Sequence, residues 1–239
     1  MPIAALPPSD PRVGRGLFTV TDAAGWLTVP RSTFHGWVYG YEREERGACG
    51  RPIVLSLPAR RGEPAVPFLG LAEGLVLNAL RRGGVPLQRI RPALERLDQE
   101  MGLRHALASD RLTTDGVEVL YEYGARQDPA AGLGGLATVR NGQLVLAPVV
   151  RAYLSRVQYG SDGWAERLEL PGYAVASVVI DPGVAGGRPV LADSHIPVEQ
   201  IVQRWLAGAS LPAVADTFAL RTAVVEDVIR AATRRCCAS

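Results

Sequence analysis

The chain has 239 residues, a formal net charge of +2, 47% hydrophobic residues and 21% charged residues. That length buries a sizeable core without disulfides or metal, and the net charge is too small to mark a polyanion binder by itself. No signal-peptide pattern and no run of about 18 apolar residues occurs, which argues against a secreted or membrane-spanning protein and predicts a cytoplasmic one.

The distribution of charge says more than its sum. Residues 1–62 hold eight Arg against five acids, and the last ten residues hold Arg230, Arg234 and Arg235 with no acid. All 26 basic residues are Arg. A GC-rich genome explains that bias, so Arg content alone is not evidence for nucleic acid. Cys49, Cys236 and Cys237 lack a second CxxC partner, so no zinc site is readable, and their sparse, odd number suits a reducing compartment.

Residues 1–16, rich in proline, read as a flexible arm. Thr19 then caps a helix and Asp22 answers it three residues on, with Val20, Ala23, Ala24 and Leu27 on one face. Thr28-Val29-Pro30 is a turn, and Pro30 opens a second helix whose apolar stripe is Phe34, Trp37 and Val38. The opposite face shows Arg31, Ser32, Thr33, His35 and Tyr39. Short polar residues and an Arg at the start of a second helix suit the major groove, although spacing alone is equally that of an ordinary helical hairpin. Ile53–Leu57 and Ala65–Phe68 read as two strands joined by the turn Pro58–Pro64, a wing with Arg60 and Arg61 at its tip. Helices come next over Leu71–Arg82, stopped by Gly83-Gly84, and over Pro86–Met101, stopped by Gly102.

This order resembles the DNA-binding domain of MerR-type regulators over roughly residues 17–100. The likeness rests on Phe18–Trp37, the wing, and the stretch Ala79–Arg91. Beyond Gly102 the chain departs from that family: strand-like Arg111–Thr114 and Val117–Tyr121 stand where a long dimer helix is usual, so metal sensing is not implied. Hairpin turns are expected at Asp115-Gly116 and at Asn141-Gly142, the latter between Leu136–Val139 and Leu144–Ala147, and a short helix at Val149–Arg156.

Ala174–Ile180 reads as a strand. Three short helices then start at Pro197, Ser210 and Thr222, with Val198, Ile201, Val202, Trp205 and Leu206 as the first apolar face. Gly187-Arg188-Pro189-Val190, Ile196-Pro197-Val198, Gly208, Leu211–Phe218 and Val225–Arg230 resemble a small bacterial domain of unknown function that recurs in antitoxins of type II toxin–antitoxin operons. With the winged N-terminus, the whole chain resembles a VapBC-class antitoxin. That resemblance implies a dimer that represses its own operator and inhibits a PIN-fold ribonuclease toxin within a hetero-oligomer. An Arg offered to the toxin's Mg²⁺-holding carboxylates would do the blocking: Arg234 and Arg235 are candidates, and Arg230 and Arg221 are alternatives. The tail arginines read equally as complements to a helix dipole. A stand-alone winged-helix transcriptional regulator is the alternative function.

The expected fold is mainly α with small β elements (α+β), a winged helix-turn-helix followed by a trihelical, helix-turn-helix-like domain. Its expected divisions are 1–16 (arm), 17–105 (DNA binding), 106–172 (mixed connection) and 173–239 (toxin binding or oligomerisation). His35, His105 and His195 are isolated and no carboxylate pair is evident. No enzyme activity, catalytic residue, cofactor or metal site is therefore expected.

Overall fold

Phe68–Leu80 is buried on every face, thirteen residues in succession, in a computed structural model that describes residues 6–43, 48–112, 137–140, 143–146 and 148–237. A helix apolar all round belongs inside the molecule. The segment FLGLAEGLVLNAL meets that condition except at Glu73 and Asn78, and both are hydrogen-bonded. The segments Pro11–Gly14, Ala106–Ala108, Pro148–Leu154 and Ala165–Glu169 pack directly against it.

In chain order the elements are α1 (Pro11–Gly14), α2 (Val20–Trp26), α3 (Arg31–Tyr39), β1 (Tyr41–Arg43), β2 (Ala48–Gly50), α4 (Phe68–Arg82) and α5 (Leu87–Met101). A 3₁₀ turn at Ala106–Ala108 is followed by β3 (Ala137–Arg140), β4 (Gln143–Leu146), α6 (Pro148–Leu154), β5 (Val157–Tyr159), β6 (Ala165–Glu169), β7 (Val178–Ile180) and β8 (Val190–Leu191). The trihelical unit is α7 (Val198–Leu206), α8 (Leu211–Phe218) and α9 (Thr222–Cys237). Strands β5 to β8 form an antiparallel meander in sequence order, and β1–β2 and β3–β4 are separate two-stranded pairs. The class is α+β with helix dominant, as expected. Buried apolar residues from Phe18 to Ile229 join one cluster, so the helix-turn-helix and the trihelical unit share a core.

Several local features differ from the sequence-based expectation. Residues 6–16 of the N-terminal arm are tied down rather than free. Arg12 donates to Asp10 at 2.9 Å and to Asp162, in the turn after β5, at 2.6 Å, while Leu6 and Val13 pack on the core. The wing is not a regular ladder. Leu57 N–H reaches the Ala65 carbonyl at 2.8 Å, but Val66 pairs with Phe18 and Phe68 already belongs to α4. Pro58, Pro64 and Pro67 remove the donors such a ladder needs. The regular hairpin is the earlier one, β1–β2, paired from Tyr41↔Gly50 to Arg43↔Ala48. Arg111 and Leu112 are helical rather than extended. Val117–Tyr121 and the turns at 115–116 and 141–142 lie outside the described residues. In α7, Val198 and Ile201 are buried and Trp205 is half-buried, but Leu206 is 70% exposed.

Candidate nucleic-acid interface

Local sequence sets the two helices of the N-terminal motif. The Thr19 side chain accepts from Asp22 N–H at 3.1 Å, the cap expected for α2, and the Asp22 carboxylate answers by accepting the Thr19 hydroxyl at 2.7 Å rather than the Thr19 N–H of a full capping box. Thr28 takes a left-handed conformation (φ +55) in the turn, which a β-branched residue adopts only when its surroundings enforce it. Those surroundings are visible. Asn78, on the buried helix α4, donates to the Leu27 carbonyl at 3.1 Å, and Val29 is buried. Phe34, Trp37 and Val38 anchor α3 from its inner side, with the Phe34 and Trp37 rings edge-to-face at 5.9 Å.

The outer face of α3 is then a consequence of helical geometry. Arg31, Ser32, His35 and Tyr39 are exposed, and Thr33 is half-buried. The His35 and Tyr39 rings lie 4.8 Å apart, one turn from each other. Arg60 and Arg61 are exposed at the tip of the 57–65 loop, whose turn closes through Glu63 N–H to the Arg60 carbonyl at 3.0 Å. Among the described residues, no carboxylate pairs with the guanidinium of Arg31, Arg60 or Arg61. Arginines elsewhere do find acids: Arg12 with Asp10 and Asp162, Arg156 with Glu169 at 3.7 Å, and Arg230 with Glu226 at 2.5 Å. Exposed cations without a carboxylate partner among the described residues therefore lie on the outer face of α3 and at the tip of the 57–65 loop, residue types suited to phosphate and base edges.

The trihelical unit is docked against this motif. The Arg235 guanidinium lies 3.7 Å from the centre of the Trp26 ring, on α2, and donates to the Tyr173 hydroxyl at 3.0 Å. Burial pushes the Tyr173 hydroxyl pKa up, although Arg235 opposes this. Arg234 donates to the Gly172 carbonyl at 2.7 Å. The tail arginines thus face the N-terminal motif and the loop after β6 instead of projecting freely. Arg221 and Arg230 are exposed on α9 or at its start. Asp227 is buried and accepts N–H groups from Ala174, Val175 and Ala176 at 2.8, 2.7 and 3.0 Å, fastening α9 to the segment before β7.

Sequence reasoning misses the contributions of Trp26, Arg82 and Asn78. Arg82 donates to the Thr28 hydroxyl at 3.3 Å, its guanidinium 5.6 Å from the Tyr153 ring. Their one-dimensional signals are a half-apolar helix residue, a helix-terminal Arg and a lone Asn, and each has a local explanation that hides the long-range one. His105, isolated from other histidines in the sequence, is half-buried with Nδ1 2.9 Å from Glu73. Among the described residues no helix is long and apolar enough to cross a membrane, and no three His, Cys, Asp or Glu side chains gather as a metal site.

Residues 16–94 match a family model described as "Putative DNA-binding HTH domain", and residues 178–231 match "Protein of unknown function (DUF433)". A curated relative from Mycobacterium tuberculosis, "Putative antitoxin VapB45", is 40% identical over 223 residues, which are 90% of this chain and 93% of the relative. The X-ray crystal structure of Rv2018 from Mycobacterium tuberculosis has a TM-score of 0.78 at 37% identity and covers 91% of this chain and 99% of that one. The N-terminal match coincides with the motif built around α2 and α3, and the second match covers β7 through most of α9. Both ends and the connection between them are therefore shared, and the chain belongs to the VapB45 antitoxin family.

Proposed function

We propose that this protein is the antitoxin of a type II toxin–antitoxin pair, which binds its own operator as a dimer and binds and inhibits a PIN-fold ribonuclease. It acts in the cytoplasm as a regulator without catalytic activity of its own. The observation that carries the DNA half is the exposure of Arg31, Ser32, His35 and Tyr39 on α3 and of Arg60 and Arg61 at a loop tip, with no carboxylate on these guanidinium groups among the described residues. Arg31 and Ser32 stand at the start of α3, where a recognition helix meets base edges, with Thr33 behind them. Arg60 and Arg61 reach the flanking phosphates, and a two-fold dimer places two such faces on paired half-sites.

For the toxin half, the docking of Arg234 and Arg235 on the chain itself shifts the proposal to Arg221 and Arg230. Arg230 already shares Glu226, so Arg221 is the better candidate to enter a carboxylate cluster. There a guanidinium would pair with the acids that hold Mg²⁺ and displace the ion.

The test is co-purification with the PIN-fold ribonuclease encoded beside it, a cleavage assay with and without this chain, and a gel-shift on the promoter DNA. A stable complex with suppressed cleavage and a shifted operator is expected. Operator binding with the ribonuclease left fully active would make the chain a stand-alone regulator.

A further inference from the structure

The turn Thr28–Pro30, which leads into Arg31, is flanked by arginines from two other elements. Arg31 opens α3. Arg82 ends α4 and is held by the Thr28 hydroxyl and the Tyr153 ring. Arg234, on α9, is held by the Gly172 carbonyl. Gly172 has φ +94, and a Cβ added there would lie 3.3 Å from Thr28 Cγ2, so this loop abuts the turn directly. A notch of about 450 Å³ opens at the junction, with Thr28, Pro30, Gly172, Arg234 and Arg235 in its wall and no carboxylate among its lining residues.

The groups that hold Arg82 and Arg234 are neutral: a hydroxyl, an aromatic ring and a carbonyl. Their guanidinium groups are therefore fixed in place without being neutralised by any described carboxylate. Cations left uncompensated on either side of one turn favour an anion that approaches it. The notch also sits beside the start of α3, the end of a recognition helix that enters the groove and so lies next to its phosphate wall.

We propose that this notch binds a phosphodiester of the operator, with Arg234 of the C-terminal unit as a DNA-backbone contact. The proposal rests on the reading of α3 as the operator-reading helix. It extends the interface from the first family-matched segment, residues 16–94, to Gly172 and Arg234, which lie outside both it and the second, residues 178–231. DNA binding then spans both ends of the chain and depends on their docking.

The test is a fluorescence-anisotropy titration of the full-length protein on operator duplex at several salt concentrations. Arg234→Ala is expected to weaken binding roughly tenfold and to lower the log–log salt slope by about 0.9, the value of one phosphate contact. Arg234→Lys, which keeps the charge, should retain the slope, and Arg204→Ala, exposed on α7, should change neither quantity. Ribonuclease inhibition by Arg234→Ala should match that of the wild type. Wild-type affinity and slope in Arg234→Ala would overturn the proposal. So would an equal loss of slope in Arg234→Ala and Arg234→Lys, which would make the Gly172 bond rather than the charge responsible. Absence of operator binding by the wild-type protein would remove the reading of α3 and the notch with it; wild-type binding with an unaffected Arg234→Ala removes the notch alone.

Discussion

Glu73 is a carboxylate in a helix buried on all sides, and it is tolerated because both oxygens are used. One accepts Leu55 N–H at 2.6 Å, at the base of the wing loop, and the other meets His105 Nδ1 at 2.9 Å. Burial works against the charged form of His105, but the hydrogen bond and charge of Glu73 outweigh it and raise its pKa above the ordinary histidine value. A raised folded pKa means stability that is complete below the ordinary value and lost as pH rises through the folded one. Thermal melts across that range should show the wild type losing stability towards neutral and alkaline pH, while His105→Gln lacks that decline. Parallel profiles would separate His105 from the wing base. Asp227 behaves in the opposite sense. Burial alone would raise its pKa, yet the three N–H groups of residues 174–176 and the charge of Arg230 hold it below the ordinary carboxylate value. Its contribution is present above that value and fades as pH falls through the folded pKa. Asp227→Ala leaves three donors without their acceptor and should cost about 3 kcal/mol in a urea melt. A loss under about 1 kcal/mol would mean that water replaces the carboxylate there.

At the scale of elements, the helix-turn-helix is legible in the sequence because its determinants are local. Thr19 and Asp22 cap α2, Pro30 starts α3, and the stripe Phe34, Trp37, Val38 fixes which face turns outward. The wing is not, because Ile53–Leu57 has strand composition, whereas its partner strand is deprived of donors by proline and drawn to Phe18. Its arginines still sit at an exposed loop tip. Arg60→Ala with Arg61→Ala should therefore reduce the salt slope of operator binding by about two, one per phosphate contact, with similar losses on unrelated DNA. An unchanged slope would take the loop out of the interface. In α7 the apolar face is broader than the surface that covers it, which leaves Leu206 exposed and Trp205 half-buried. Trp205→Ala should accordingly cost about 2 kcal/mol, short of the roughly 3 to 5 kcal/mol typical of a fully buried aromatic. A larger loss would show Trp205 fully covered in the working assembly, so melts with and without the partner decide it.

At the scale of the whole molecule, the two ends of the chain act as one body. The contacts of Arg235 with Trp26 and Tyr173, and of Arg234 with Gly172, join α9 to α2 and to the loop after β6. Deleting Thr233–Ser239 removes them all and should lower stability by about 2 kcal/mol, with weaker operator binding as a second effect. Full operator affinity in the truncated chain would mean that the N-terminal motif reads DNA independently of α9. By itself the sequence determined the helical class, the caps of α2 and α8, the proline-led starts of α3 and α7, and the family likeness, because capping, proline placement and apolar periodicity are properties of neighbours in the chain. Tertiary structure alone decided that the N-terminal segment is clamped by Asp162, that α4 is the buried centre, and that the C-terminal arginines face the DNA-reading motif. Those outcomes depend on which surfaces meet across some 50 to 210 residues of chain, and an Arg on a helix end looks the same whether it meets solvent, a toxin or an indole ring.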